Sequence, residues 1–201
     1  MSESKAPVAP PSKSVRNYTL AVLVAIYASS HIDRQIVSIL AESIKQDLLL
    51  SDSQLGFLIG LSFALFYATL GIPIAILADR YSRRNIIAIS VIIWSGMTAL
   101  SGIASNFFQL ALARIGVGIG EAGSSPPSHS MIADLFPLES RGAAMGVYAA
   151  GINIGVLIGF LVGGFIDEWY GWRMAFFIVG IPGIFLGLLL LFTIKEPARS
   201  L

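Results

Sequence analysis

Six apolar segments, a scarcity of charge and a one-sided spread of lysine and arginine predict an all-α integral membrane protein with six transmembrane helices. Hydrophobic residues make up 55% of the 201 and charged residues only 12%, about half the usual soluble share. A spanning helix needs about 20 mostly apolar residues, and runs of that order recur between short polar breaks. With the N-terminus placed in the cytoplasm, nine basic residues fall inside: Lys5, Lys13, Arg16, Arg80, Arg83, Arg84, Arg141, Lys195 and Arg199. Only Lys45 and Arg173 fall outside. This is a positive-inside bias, and it predicts both ends of the chain in the cytoplasm.

Residues 1–16, MSESKAPVAPPSKSVR, lack the apolar core and cleavage site of a signal peptide and are expected to form a disordered cytoplasmic tail. The spans are expected at 17–45, 53–78, 85–104, 107–135, 139–166 and 173–194, with 195–201 starting a cytoplasmic linker. Ser51 and Asp52 can cap the second span, Pro137 breaks the chain before the fifth, and residues 167–171 make a turn before the sixth. Ser53 to Asp79 and Ser140 to Asp167 are separated by 26 and 27 residues. Two three-helix units of opposite orientation would produce that relation, a pattern of secondary transporters.

The same composition excludes other classes. A net charge of +1 with basic residues scattered through loops argues against nucleic acid. The absence of cysteine rules out a disulfide framework and a thiolate metal site. Two histidines on different spans, without a third ligand at suitable spacing, make a poor metal site, so no metal or cofactor is expected. An intramembrane enzyme lacks a nucleophile and base arrangement.

Asp33 and Arg34 interrupt the first apolar stretch, AVLVAIYASSHIDRQIVSIL. Each such charge costs roughly 2.5–3.5 kcal/mol at a helix centre, which a static ion pair or a proton, ion or headgroup site could offset. The fourth span carries Arg114 and Glu121, seven residues apart, on nearly one helix face and about 10 Å apart along the axis. Each is expected to find its partner on another helix, and Asp33 and Arg34 are available. A fixed electroneutral cluster is one reading. Glycines at 116, 118, 120 and 123 followed by Pro126 and Pro127 make a moving helix the favoured one. His31 lies roughly 200° around the helix from Asp33 and reads as a packed or pore-edge side chain.

The segment 75–84, AILADRYSRR, places Asp79 with Arg80, Arg83 and Arg84 in a cytoplasmic hairpin. It serves as a topological anchor and can also latch, Asp79 pairing with an arginine or with a helix N-terminus. The fifth span repeats glycine at 151, 155, 159 and 163, a small-residue face for close helix packing. Trp169, Tyr170 and Trp172 are expected to form an interfacial aromatic belt.

The 75–84 loop resembles the signature loop of the major facilitator superfamily between its second and third helices, with Ala75 and Ser82 in place of two glycines. With HIDRQIV in the first span, RIGVGIGEAGSSPPSHSMIADLFP in the fourth and GWRMAFF at the sixth, nearly the whole chain after residue 16 resembles the N-terminal half of such a protein. More narrowly it resembles a bacterial Spinster-like transporter. The resemblance implies alternating access in the inner (plasma) membrane and a C-terminal six-helix half as partner. It also implies an amphiphilic substrate of the sphingolipid or lysophospholipid class. On that footing Asp33 and Glu121 are candidate proton-coupling residues, and Arg34 and Arg114 candidate substrate or charge-pair residues, Arg34 meeting the headgroup. Asp79, Arg80, Arg83 and Arg84 form a candidate cytoplasmic gate. A carrier of small organic anions or drugs is the alternative within transport; a channel or membrane scaffold is the alternative outside it.

Overall fold

The computed structural model describes residues 11–199. Helix α1, Lys13–Ile39, begins where the Ser12 hydroxyl accepts the N–H of Val15. Residues 13–16, expected in the tail, are therefore helical, and the rest of the tail up to residue 10 lies outside the described residues. After Leu40 a short helix α2, Ala41–Asp47, turns off. The next rod starts with α3, Asp52–Gly56, under a capping box of Ser51 and Gln54. It runs through a π-helical turn, Phe57–Leu61, into α4, Ser62–Arg80. Helix α5, Arg83–Ser101, is capped by Ser82, and α6, Phe107–Glu121, by Asn106.

A turn at 122–124 separates α6 from α7, Ser125–Leu135, which has proline in its first turn. Helix α8 runs Leu138–Tyr170 and α9 runs Trp172–Thr193. The break expected over 167–171 shrinks to Gly171 alone, which takes φ +79, a conformation glycine adopts without steric cost. These elements make six rods: α1 with α2, α3 with α4, α5, α6 with α7, α8 and α9. The α3–α4 rod, α5, α8 and α9 are each long and apolar enough to cross a membrane. Polar residues dilute α1, and the break after Glu121 divides the fourth rod into pieces of 15 and 11 residues.

The rods pack as two interlocked triplets. Helix α1 lies along α8, α4 along α6, and α5 along α9. Exchanging the first rod with the fourth, the second with the fifth and the third with the sixth maps the α1–α8 pair onto α4–α6 and leaves α5–α9 in place. That is the contact pattern of an inverted repeat. The glycine face of α8 meets α1: Gly151 lies under Val24, Gly155 under Ala28 and His31, and Gly163 under Ile36 and Ile39. Two buried apolar clusters result. One, around Leu23, Ile26, Val91, Trp94, Val117 and Tyr148, lies nearer the start of α1. The other, around Ile36, Leu40, Leu58, Leu110, Phe176 and Val179, lies nearer its end.

At that far end Asp47 clamps α9. It accepts from Arg173 Nη1 at 2.5 Å and from Trp172 Nε1 at 3.2 Å, while Arg173 Nη2 donates to the Ala104 carbonyl. Trp172 therefore does not join the aromatic belt: it is buried, whereas Trp169 and Tyr170 are 68% and 67% exposed. The hydrogen bond from Arg173 holds the Asp47 carboxyl below its usual range. A lowered native value means the contribution is present above the ordinary aspartate range and is lost as pH falls through the lowered value. Between roughly pH 5 and 2, thermal unfolding should show a small acid-side loss that Asp47→Asn removes.

Candidate functional site

Charge enters the bundle where α1 passes from one apolar cluster to the other. Successive residues on a helix point about 100° apart, so Asp33 and Arg34 face different neighbours. Arg34 reaches α6, its Nε donating to Glu121 Oε2 at 2.7 Å and its Nη2 standing 2.7 Å from the same oxygen. The Glu121 side chain is fully buried, whereas that of Arg34 keeps 29% exposure. The pair is thus closed on the acid's side and open on the arginine's.

Asp33 instead turns to α5. It is fully buried, with Thr98 and Trp94 beside it and Arg114 and Glu121 as charged neighbours. Neither of its oxygens has a partner in hydrogen-bonding geometry, and the same holds for Trp94 Nε1, Thr98 Oγ1, Arg114 Nε and Nη1, and Glu121 Oε1. Arg114, also buried, neighbours Asp33, Arg34 and Glu121. The four charged residues form one electroneutral group on α1 and α6, backed by the polar side chains of α5. Only Arg34 and Glu121 are joined directly.

That arrangement carries a specific chemical capacity. A buried charge without its partner is strongly destabilising, so a proton arriving at Glu121 removes the reason for Arg34 to stay there. Arg34 can then offer its fork to another anion. His31 is not hydrogen-bonded into this group: its Nδ1 lies against the Tyr27 carbonyl at 2.9 Å and its ring is edge-on to Tyr27. His129 lies against the Ser125 carbonyl and edge-on to the Tyr148 ring.

The hairpin residues separate in the fold. Arg83 is buried and central: Nε donates to Glu196 Oε1 at 2.9 Å, Nη1 to Ser130 at 2.8 Å and to Asp134, and Nη2 to the Pro197 carbonyl. The Arg84 N–H donates to Glu196 Oε2 and its Nη1 to the Ile194 carbonyl. Asp79 and Arg80 are exposed at the end of α4, where Arg199 donates to the Ala78, Asp79 and Tyr81 carbonyls. Glu196 thus meets the start of α5 and Arg199 the end of α4, each with the sign that complements the helix terminus. Sequence reading passed over Asp134, Glu196 and Arg199 in this role. The available signal was an acid and a base just past a helix end, on either side of Pro197.

With this geometry in place, comparison with known proteins is decisive. The family model described as Major Facilitator Superfamily matches residues 23–201. The chain belongs to the major facilitator superfamily. An MFS-type efflux pump of Mycolicibacterium smegmatis is 39% identical over 173 residues, covering 86% of this chain and 40% of that protein. A probable L-galactonate transporter of Escherichia coli is 34% identical over 175 residues, covering 86% and 38%. Among solved structures, a bacterial homolog to the human lysosomal transporter Spinster, in an inward-facing and unoccupied conformation, superposes with a TM-score of 0.89 at 41% identity. That superposition covers 95% of this chain and 45% of that one. The chain therefore spans less than half the length of these major facilitator relatives, and its fold is that of the N-terminal half. Its relatives are multi-pass membrane transporters, and the superfamily is one of carriers rather than enzymes.

Proposed function

We propose that this chain is the first six-helix half of a secondary active transporter that works by alternating access and is coupled to protons. It operates in the inner (plasma) membrane with both ends cytoplasmic, an orientation supported by nine basic residues against two in the loops and tails. A second six-helix half completes the central site. The observation that carries this reading is the Arg34–Glu121 pair, buried at its acid and open at its base.

In this mechanism Glu121 and Asp33 take up protons. Protonation of Glu121 frees Arg34, which then meets the anionic head of an amphiphile of the sphingolipid or lysophospholipid class. Arg114 stays in the buried group and balances Asp33 for as long as Asp33 is ionised. The lipid-like substrate draws support from the likeness to the bacterial Spinster homolog. A small organic anion is the second reading, favoured by the likeness to the L-galactonate transporter. The hairpin of Asp79, Arg80, Arg83 and Arg84 is proposed as the cytoplasmic gate.

The test combines conformation and uptake. Spin-label distances between the two halves, measured against pH in liposomes, are expected to change in the native protein. They are expected to lose that response in Asp33→Asn and in Glu121→Gln. A response as strong in both variants as in the native protein would sink the proton role. Uptake of radiolabelled lysophospholipid against galactonate separates the two substrate readings.

A further inference from the structure

Arg34 does not rest on Glu121 alone. Its guanidinium carbon lies 5.0 Å from the centroid of the Phe63 ring and 4.9 Å from that of Tyr67, both within cation–π range. The two rings, one turn apart on α4, are stacked with centroids 5.3 Å apart and planes 20° apart, so they form one continuous platform. Arg114 also approaches it, 6.0 Å from the Phe63 centroid. A backbone feature brings the platform in: a Cβ on Gly118 would fall 2.8 Å from the Phe63 carbonyl oxygen. Because Gly118 lies on α6 between Arg114 and Glu121, bare backbone there lets α4 close on α6 at the level of the charges. The π-helical turn at Phe57–Leu61, where the usual hydrogen-bond register is altered, immediately precedes the rings.

We infer that Phe63 and Tyr67 are positioning residues: an aromatic perch that keeps Arg34 in the binding site when Glu121 lets it go. The inference rests on the proposed headgroup role of Arg34 and adds α4 to the machinery. A freed arginine on a flexible stem gains rotamer entropy by swinging away. A ring face retains it through the electrostatic attraction of its quadrupole without engaging the fork of N–H donors, and the Tyr67 hydroxyl adds a neutral contact to Arg34 beside the ring. The perch therefore keeps Arg34 within reach of an incoming anion, with N–H donors available for bidentate contact.

The experiment is uptake of radiolabelled lysophosphatidic acid into proteoliposomes holding the chain with its second half, with KM and kcat measured separately. Phe63→Leu combined with Tyr67→Leu is expected to raise KM about five- to tenfold with a much smaller change in kcat. Tyr67→Phe, which keeps the ring, is expected to recover most of the loss seen in Tyr67→Leu. If the double variant does not fold, the single leucine variants carry the test, each at about two- to threefold. An unchanged KM in the leucine variants overturns the perch, as does a Tyr67→Phe defect equal to that of Tyr67→Leu. Arg34→Gln serves as the comparator: no effect there sinks the headgroup role and the perch with it. A strong Arg34→Gln effect beside silent leucine variants sinks the perch alone.

Discussion

Gly155→Val is expected to force α1 away from α8 and to lower the thermal midpoint of the chain by several degrees. A Cβ at this position would lie 2.3 Å from the Ala28 carbonyl oxygen, 3.0 Å from its carbon and 2.8 Å from His31 Cβ. Two of those atoms are backbone, so no side-chain rotation relieves the clash. Overpacking of this kind costs about 1–3 kcal/mol, occasionally more, and the valine adds branching to a face that has room for neither methyl group. The displaced segment of α1 lies about one turn before Asp33 and Arg34, so the pH response proposed for that group should weaken together with the stability. Gly164→Ala is the matched control. Nothing stands within 4 Å of its added Cβ, and replacing a mid-helix glycine by alanine is ordinarily worth roughly 0.5–1 kcal/mol in the favourable direction. Thermal unfolding of the two variants in detergent, with circular dichroism as the signal, should therefore give shifts of opposite sign. Equal midpoints would show that the α1–α8 seam is looser than its geometry implies.

Arg83→Leu is expected to cost about 3–5 kcal/mol, the range for removing one partner of a buried ionic group, and to release residues 195–199 from the bundle. The side chain is only 3% exposed and serves two carboxylates, a hydroxyl and a carbonyl at once. Arg83→Lys should recover little, because a single ammonium cannot reproduce a fork with Nε on Glu196, Nη1 on Asp134 and Nη2 on Pro197. Limited proteolysis reads the release directly: cleavage after Lys195 or Arg199 should accelerate in both variants, and unchanged cleavage would overturn the clamp. Acid should mimic the mutation. Burial pushes the Glu196 carboxyl up, but the Arg84 N–H, the Ser82 hydroxyl and Arg83 outweigh it and hold the group below the usual glutamate range. The contribution is therefore intact above the ordinary glutamate value and disappears as pH falls through the lowered one.

These two sites show what a linear reading reaches. The glycine spacing on α8 was visible as a small-residue face because helical periodicity is local. Its partner, α1, is a matter of tertiary arrangement. The rods themselves were visible because apolar length is a property of consecutive residues, though the break at 122–124 shows only as a crowd of glycine and proline without a position. The direction of each intramembrane charge was out of reach. Arg34 meets Glu121 across 87 residues, and which of two adjacent side chains faces α6 depends on the rotation of α1 about its own axis. Arg83 was grouped with its hairpin neighbours because they are adjacent in sequence. Its actual partners, Asp134 and Glu196, lie 51 and 113 residues away, and one of them follows the last helix.

The pairing of rods has a mechanical meaning. Helices α1 and α8 make one leaf and α4 with α6 the other, while α5 and α9 run along the back as a spine. Backbone contact between α1 and α6 is sparse, although α1 also meets α7 and the π-helical turn, so the Arg34–Glu121 bond is the direct ionic link between the leaves at the level of the charges. If the proposed protonation of Glu121 opens that contact, this half need not move as a rigid block: its two leaves gain the freedom to part by a small angle.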